Sequence, residues 1–331
     1  MAEYLYESAR VRALENRLPT REQLEALILA SDWSVLLARL KEIGISVVLN
    51  ERGELLREET LVGMLHAAQV ELADVMVHDG AVRLWLYPYD CNNVKAAIKG
   101  FFRGVDPRRM TFDFGTVSVE RLINMVQSGD FEGLPANMQR AATEAMQAYA
   151  KAQNPQTIDL LLDAACFADM LAAATQSGDA FALSMVQTKI DLTNLLTAVR
   201  LLRMGRDGEA MIGFFNEAML EGGTLTRETL NEWIMGGEDY LWSRLYHTPL
   251  GWLSEQLAGR GKTLTAVERF ADNCWMQQLK PVKFSAYGRA VLIAYWLATE
   301  YAVKNLRIIL AGHAAGLSAE TIRERVRDGY V

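Results

Sequence analysis

The sequence predicts an all-α fold built from three diverged copies of one helical unit. Three observations predict it. Apolar residues recur at helical spacing through nearly every segment. Only seven prolines in 331 residues leave room for many long helices. One asparagine-centred pattern also occurs three times, and internal repeats at such a period define an architecture.

Each copy opens on a capped helix. "LPTREQLEALILASDWSVLLARL", "GTVSVERLINMVQSGDFEGLPANM" and "GTLTRETLNEWIMGGEDYLWSRL" align on Leu24, Leu122 and Leu230. Each leucine follows a hydroxyl residue by four positions: Thr20, Ser118 and Thr226. A hydroxyl there accepts from the free amides of the first turn, so these are N-caps. The middle of the unit matches in copies two and three, where Asp159 and Asp163 align with Glu268 and Asp272. "ISVVLN" and "AVRLWLYP" lean towards β composition, yet the cognate stretches of the sister copies read as helix, so helix is expected in both. Pro88 should kink or interrupt its helix.

Each copy closes on a helix pair. "YDCNNVKAAIKGFFRGVDP", "IDLTNLLTAVRLLRMGRDG" and "YAVKNLRIILAGHAAGLSA" align on Asn93, Asn194 and Asn305. Eleven residues later stand Gly104, Gly205 and Gly316, which suit the left-handed position that ends a helix. Two further on come Asp106, Asp207 and Ser318, N-caps for the next helix. Four past each cap are Met110, Met211 and Ile322; Val105 and Leu317 could meet the first and last as a hydrophobic staple, whereas Arg206 prevents it in the second copy. From Leu24 to Asn93, Leu122 to Asn194 and Leu230 to Asn305 the spans are 69, 72 and 75 residues. That near-constant phase gives units at residues 1–115, 116–222 and 223–331.

Composition bounds the function. With 50% hydrophobic and 23% charged residues, the chain has ample material for a packed core. A net charge of −7 argues against nucleic acid, whose phosphates need a basic face. Cys91, Cys166 and Cys274 lie far apart, so buried free thiols in a reducing compartment are expected. The amino terminus lacks the pattern of a secretory signal. The apolar run Ala290–Ala298 is too short for a membrane span, so a soluble, cytoplasmic chain is expected, which leaves contact with a membrane complex from outside open.

No catalytic apparatus emerges, and no cofactor or metal is expected. Asp159 and Asp163 share a helix face, as magnesium ligands would, but a solvated or inter-repeat polar face is the favoured reading. His66, His78, His247 and His313 have no ligand spacing; His313 takes an apolar position of the repeat and should pack at its helix end. The three asparagines admit two readings. They line a common axis and meet a partner, or each bonds the backbone of a neighbouring helix, and recurrence in every copy favours the second. Lys95 and Arg307, two residues past their asparagines, are candidates for external contact; Leu196 holds that place in the middle copy. Arg323, Arg325 and Arg327 should complement the dipole of the last helix.

The ending "EYAVKNLRIILAGHAAGLSAETIRERVRDGYV", with "PYDCNNVKAAIKGFFRG" and "KIDLTNLLTAVRLL", resembles the C subunit of bacterial and archaeal V-type (A-type) ATP synthases, whose eukaryotic counterpart is the d subunit of the vacuolar proton pump. The resemblance covers the whole chain. Its most specific part is Glu300, the run Lys304 to Ile308, Gly316-Leu317-Ser318, Ile322 to Glu324 and the Tyr330-Val331 end. The resemblance implies a non-catalytic funnel of pseudo-threefold symmetry, peripheral to the cytoplasmic face of a membrane rotor ring. Its cavity would receive the D and F subunits of the central shaft and pass torque between the A/B head and the ring, in a machine that couples ATP to proton or sodium transport. Asn93, Lys95, Asn194, Asn305 and Arg307 would line that socket. The rival readings are a helical-repeat scaffold for another partner and an all-α magnesium enzyme using Asp159 and Asp163.

Overall fold

A computed structural model of the chain describes residues 4–205, 208–257 and 263–331. It is 75% helical. Among the described residues no strand forms, and extended pairing is confined to isolated bridges at Leu49–Leu55 and Glu132–Leu134. The first sequence copy holds α1 (Leu5–Glu15), α2 (Arg21–Ile28), α3 (Trp33–Glu42), α4 (Arg57–His78), α5 (Gly80–Arg83) and α6 (Tyr87–Arg103). The second holds α7 (Val119–Ser128), α8 (Ala136–Ala152), α9 (Pro155–Ser177), α10 (Ala180–Arg203) and α11 (Gly208–Ala218). The third holds α12 (Arg227–Gly236), α13 (Glu238–Leu245), α14 (Gly251–Leu257), α15 (Leu264–Leu279), α16 (Arg289–Ala314) and α17 (Ala319–Arg323).

The predicted punctuation forms. Thr20, Ser118 and Thr226 each accept a hydrogen bond from the amide three residues on, that of Gln23, Arg121 and Thr229. At Thr20 the Gln23 side chain returns a bond to the cap's own amide, closing a capping box. Gly104, Gly205 and Gly316 have φ of 64°, 66° and 65°, the left-handed turn that stops α6, α10 and α16. Ser318 caps α17. Asp106 caps only a 3₁₀ turn, Pro107–Met110, rather than the full helix expected there. Val105 and Met110 are 55% and 51% exposed, so no staple closes that turn. Ile322 is buried, with its side chain against Gly312. The second-copy expectations at Arg206 and Asp207 lie outside the described residues.

Of the two β-leaning stretches, one behaves as expected. Residues 81–88 run from α5 through a 3₁₀ turn into α6, with Pro88 in the first turn of that helix, where its missing N–H costs nothing. Residues 45–50 do not become helix. Gly44, at φ 83°, ends the preceding turn, and the Asn50 carboxamide accepts from the Arg52 and Glu54 amides to fold a tight loop. The Thr60 hydroxyl accepts the Val48 amide, which leaves that amide unavailable to a helix.

The described residues group into two compact units, Met1–Asp74 with Leu245–Val331, and Val75–Arg244. In the second, α9 packs against α6, α8 and α10, and α7 lies on α6. Val94, Ile98, Leu122, Leu162, Ile190 and Val199 fill its core. In the first, α16 packs on α1, α2 and α17. Residues Val291 to Thr299 of α16 are all buried, so this helix is apolar on every side because it is surrounded. The Ala290–Ala298 run is therefore core. By length and composition α4 is apolar enough to cross a membrane, and it is the one such helix among the described residues. Its buried residues Leu61, Leu65, Ala68, Leu72, Val75 and Met76 follow a helical stripe.

Within each compact unit, closing helices of one sequence copy meet an opening helix of another. The asparagine helix α6 meets α7, the opening helix of the next copy, and α10 and α11 meet α12. The last pair, α16 and α17, meets α2, the opening helix of the first copy.

Candidate functional site

The three asparagines make one construction three times. Asn93 donates through Nδ2 to Phe112 O at 2.7 Å and accepts the Phe112 amide at 2.9 Å. Asn194 does the same with Leu220, at 2.8 and 2.9 Å. Asn305 does so with Arg327, at 3.0 and 2.9 Å. All three side chains are buried. A carboxamide has one donor edge and one acceptor edge, so it can satisfy both polar groups of a single residue as a strand partner would. The geometry matches the backbone-bonding reading. The bonded backbone, however, is the chain returning after the glycine stop and the next short turn or helix, and not a crossing helix. In the first copy the return takes 19 residues against 26 and 22 in the others, which leaves room for a 3₁₀ turn alone.

A second recurrent element escaped the sequence reading. Asp90 accepts the Thr116 amide (3.0 Å), the Thr116 hydroxyl (2.6 Å) and the Val117 amide (3.1 Å). Asp191 accepts the Thr224 amide (3.0 Å), its hydroxyl (2.5 Å) and the Leu225 amide (3.0 Å). Each aspartate thus ties a closing helix to the first residues of the following copy. The residue before each threonine is glycine for a steric reason: a methyl on Gly115 would overlap Oδ1 of Asp90, and one on Gly223 would overlap Oδ1 of Asp191. The signal was present as an aspartate three before the asparagine and a Gly-Thr pair downstream. It is confined to two copies, since Ala302 replaces the aspartate in the third. Burial pushes both carboxyls above the ordinary range, outweighing the hydrogen bonds that pull them down.

Charged candidates are mostly committed internally. Lys95 bonds Asp163 at 2.5 Å and Lys99 bonds Asp159 at 2.5 Å, so the acidic pair of α9 is held by two lysines of α6. That is a polar seam between helices. Among the described residues no group of three metal-ligating side chains occurs. Asp272, the cognate of Asp163, bonds Lys304 (2.5 Å), Arg327 (2.9 Å) and the Tyr301 hydroxyl (3.2 Å). Arg327 therefore does not serve the α17 dipole. The helix ends at Arg323, and Arg327 is a structural cation fixed by Asp272 and by the Asn305 joint. His313 bonds Leu27 O at 2.9 Å and meets Trp33 edge-on, a packing role. The three cysteines are free and buried, as expected.

Arg307 differs from the rest. Its side chain is 44% exposed and pairs with Glu58, itself 56% exposed, at 2.9 Å. The pair borders a cavity of about 420 Å³ floored by Leu55, Leu61, Leu310 and Ala311. It is an accessible cation beside apolar surface, and it suits recognition more than chemistry.

The family model for the ATP synthase (C/AC39) subunit matches residues 8–325. The chain is 24% identical over 250 residues to the C subunit of the V-type sodium ATPase of Enterococcus hirae, covering 75% of each chain. An all-α chain of repeats whose recurrent polar groups are spent on its own backbone agrees with that match, and the chain belongs to the ATP synthase (C/AC39) subunit family, as a non-catalytic subunit of a rotary V/A-type ATPase.

Proposed function

We propose that the chain is the central-stalk adaptor of the rotary complex, joining the D/F shaft to the membrane rotor ring on its cytoplasmic face and passing torque between them. One observation carries the reading: the two-bond asparagine joint at Phe112, Leu220 and Arg327. A torque adaptor must yield less than the interfaces it drives, and closely packed helices with satisfied internal amides have low compressibility. The joint fixes the return of each closing helix in all three copies. The aspartate ties at Thr116 and Thr224 fix the copy-to-copy transitions there, in support of unit boundaries near Thr116 and Gly223.

In this reading the socket's contacts fall to side chains next to the joints. Arg307 is the accessible one; Lys95, drawn back to Asp163, braces the wall beside Asn93, as Asn194 and Asn305 do in their own copies. Deletion of this component from the membrane complex should leave ATP hydrolysis by the soluble head intact while abolishing ATP-driven ion transport. Transport that persists without it would overturn the proposal.

A further inference from the structure

In a chain of net charge −7, five cationic side chains converge on one polar cavity of about 340 Å³. They are Arg21, Arg269, Lys280, Arg323 and Arg327, and the cavity lies where α2 meets α17 and the tail that follows it. Only two side-chain carboxylates share the lining, Glu25 and Asp328. Each is already engaged: Glu25 by Arg323, and Asp328 by Lys280 at 3.7 Å and Gln277 at 3.3 Å. With Asp272 paired to Arg327 the side-chain balance is still positive, and Val331 also lines the cavity.

Two of the cations are pre-set. Arg327 has its amide on Asn305 and its Nε on Asp272, and its side chain is only 11% exposed. Arg323 is held by Glu25. A guanidinium carries five N–H donors, so neither pairing exhausts it, and its planar fork matches the oxygens of a phosphate. Leu24, Ile28 and Val326 supply the apolar part of the lining.

We propose that this cavity binds a compact phosphate-bearing anion of diphosphate size. The volume fits a small ligand and excludes a polymer. Arg21, at the exposed start of α2, and Arg269, on α15 and stacked on Phe270, add charge to that of Arg323 and Arg327. Occupancy would bridge the opening helix of the first copy to the end of the last. This is the junction that lacks the aspartate tie, because Ala302 stands where the other copies have Asp90 and Asp191.

The test is calorimetric titration of the full chain with inorganic pyrophosphate, and in a second arm with ADP, at low ionic strength. Saturable one-to-one binding is expected, accompanied by a rise in the thermal midpoint. Arg21→Gln with Arg269→Gln should weaken it by about tenfold or more, the scale of one or two lost charge-assisted hydrogen bonds. ADP binding equal to pyrophosphate assigns recognition to the phosphates, and tighter ADP binding extends it to Leu24 and Ile28. Arg108→Gln, on the exposed surface of the other compact unit, should leave affinity unchanged. Absence of binding to either anion, or affinity untouched in a double variant that keeps its native helical spectrum, would overturn the proposal. A loss in Arg108→Gln equal to that in the double variant would do so too, by making the attraction non-specific.

Discussion

Asn194 and Leu220 exchange two hydrogen bonds across 26 residues of chain, at 2.8 and 2.9 Å, with both groups buried. Neither bond belongs to a helix, so nothing else in the fold replaces them. Asn194→Ala would strand the Leu220 amide and carbonyl, each costing about 1–3 kcal/mol when left unmet. We expect a loss of about 2–4 kcal/mol in urea unfolding. Asn194→Asp should lose more near neutral pH, since a carboxylate can accept the Leu220 amide but would face its carbonyl oxygen in a dry site. An unfolding midpoint unchanged in either variant would show that the joint carries no stability.

The aspartate ties predict a pH dependence with a definite sign. Asp90 and Asp191 have folded pKa values raised above the ordinary carboxylate value, burial outweighing their donated bonds. Between the unfolded and folded values the native state therefore binds more protons than the unfolded state. Stability from these groups is fully present below the unfolded value and declines as pH rises through the folded one. Asp191→Asn removes that titration. The stability of the wild type relative to this variant should be greatest at the acid end and shrink as pH rises from about 4. Parallel pH profiles for the two proteins would contradict the assignment.

Local signals were legible and distant partners were not. Thr20, Ser118 and Thr226, with Gly104, Gly205 and Gly316, act within four residues of themselves, so the chain announces them. The recurrence of the asparagines marks them as architectural. Their acceptor and donor lie 19 to 26 residues away in segments that share no residue type, Phe112, Leu220 and Arg327, so no pattern names them. Asp163 and Asp272 look alike in alignment yet differ in three dimensions. Asp163 takes a lysine from the preceding copy, whereas Asp272 takes Lys304 and Arg327 from its own. The Ile45–Asn50 loop departs from its helical sister segments because Gly44 and the Asn50 turn act locally, and local turn chemistry prevails over analogy between copies.

Gly115 offers a steric test of the tie. Its φ is not in the left-handed region, so alanine there meets no backbone strain; its methyl overlaps the Asp90 carboxylate and lies 3.3 Å from the Asp90 amide nitrogen. That carboxylate is pinned by three hydrogen bonds and cannot swing aside. Gly115→Ala should cost about 1–3 kcal/mol, the usual penalty of overpacking. In an Asp90→Ala background the same change should cost much less, giving a coupling of about 1 kcal/mol or more in a double-mutant cycle. Additive effects would mean that the glycine answers to something other than Asp90.

Arg307 and Asn305 lie two residues apart on α16 and should separate recognition from stability. Asn305 is buried and joined to Arg327, so Asn305→Ala should lower stability by about 2–4 kcal/mol. Arg307 is about half exposed, and its pair with Glu58 is open to solvent and screened. Arg307→Ala should therefore change stability by less than about 0.5 kcal/mol. If the exposed cation meets a partner in the assembled ATPase, Arg307→Glu should weaken retention of the chain on the purified complex and sharpen its salt dependence, while the isolated chain unfolds as before. A complex that retains Arg307→Glu as tightly as wild type at every salt concentration would remove Arg307 from the interface. A large loss of stability in that variant would reassign it to the fold.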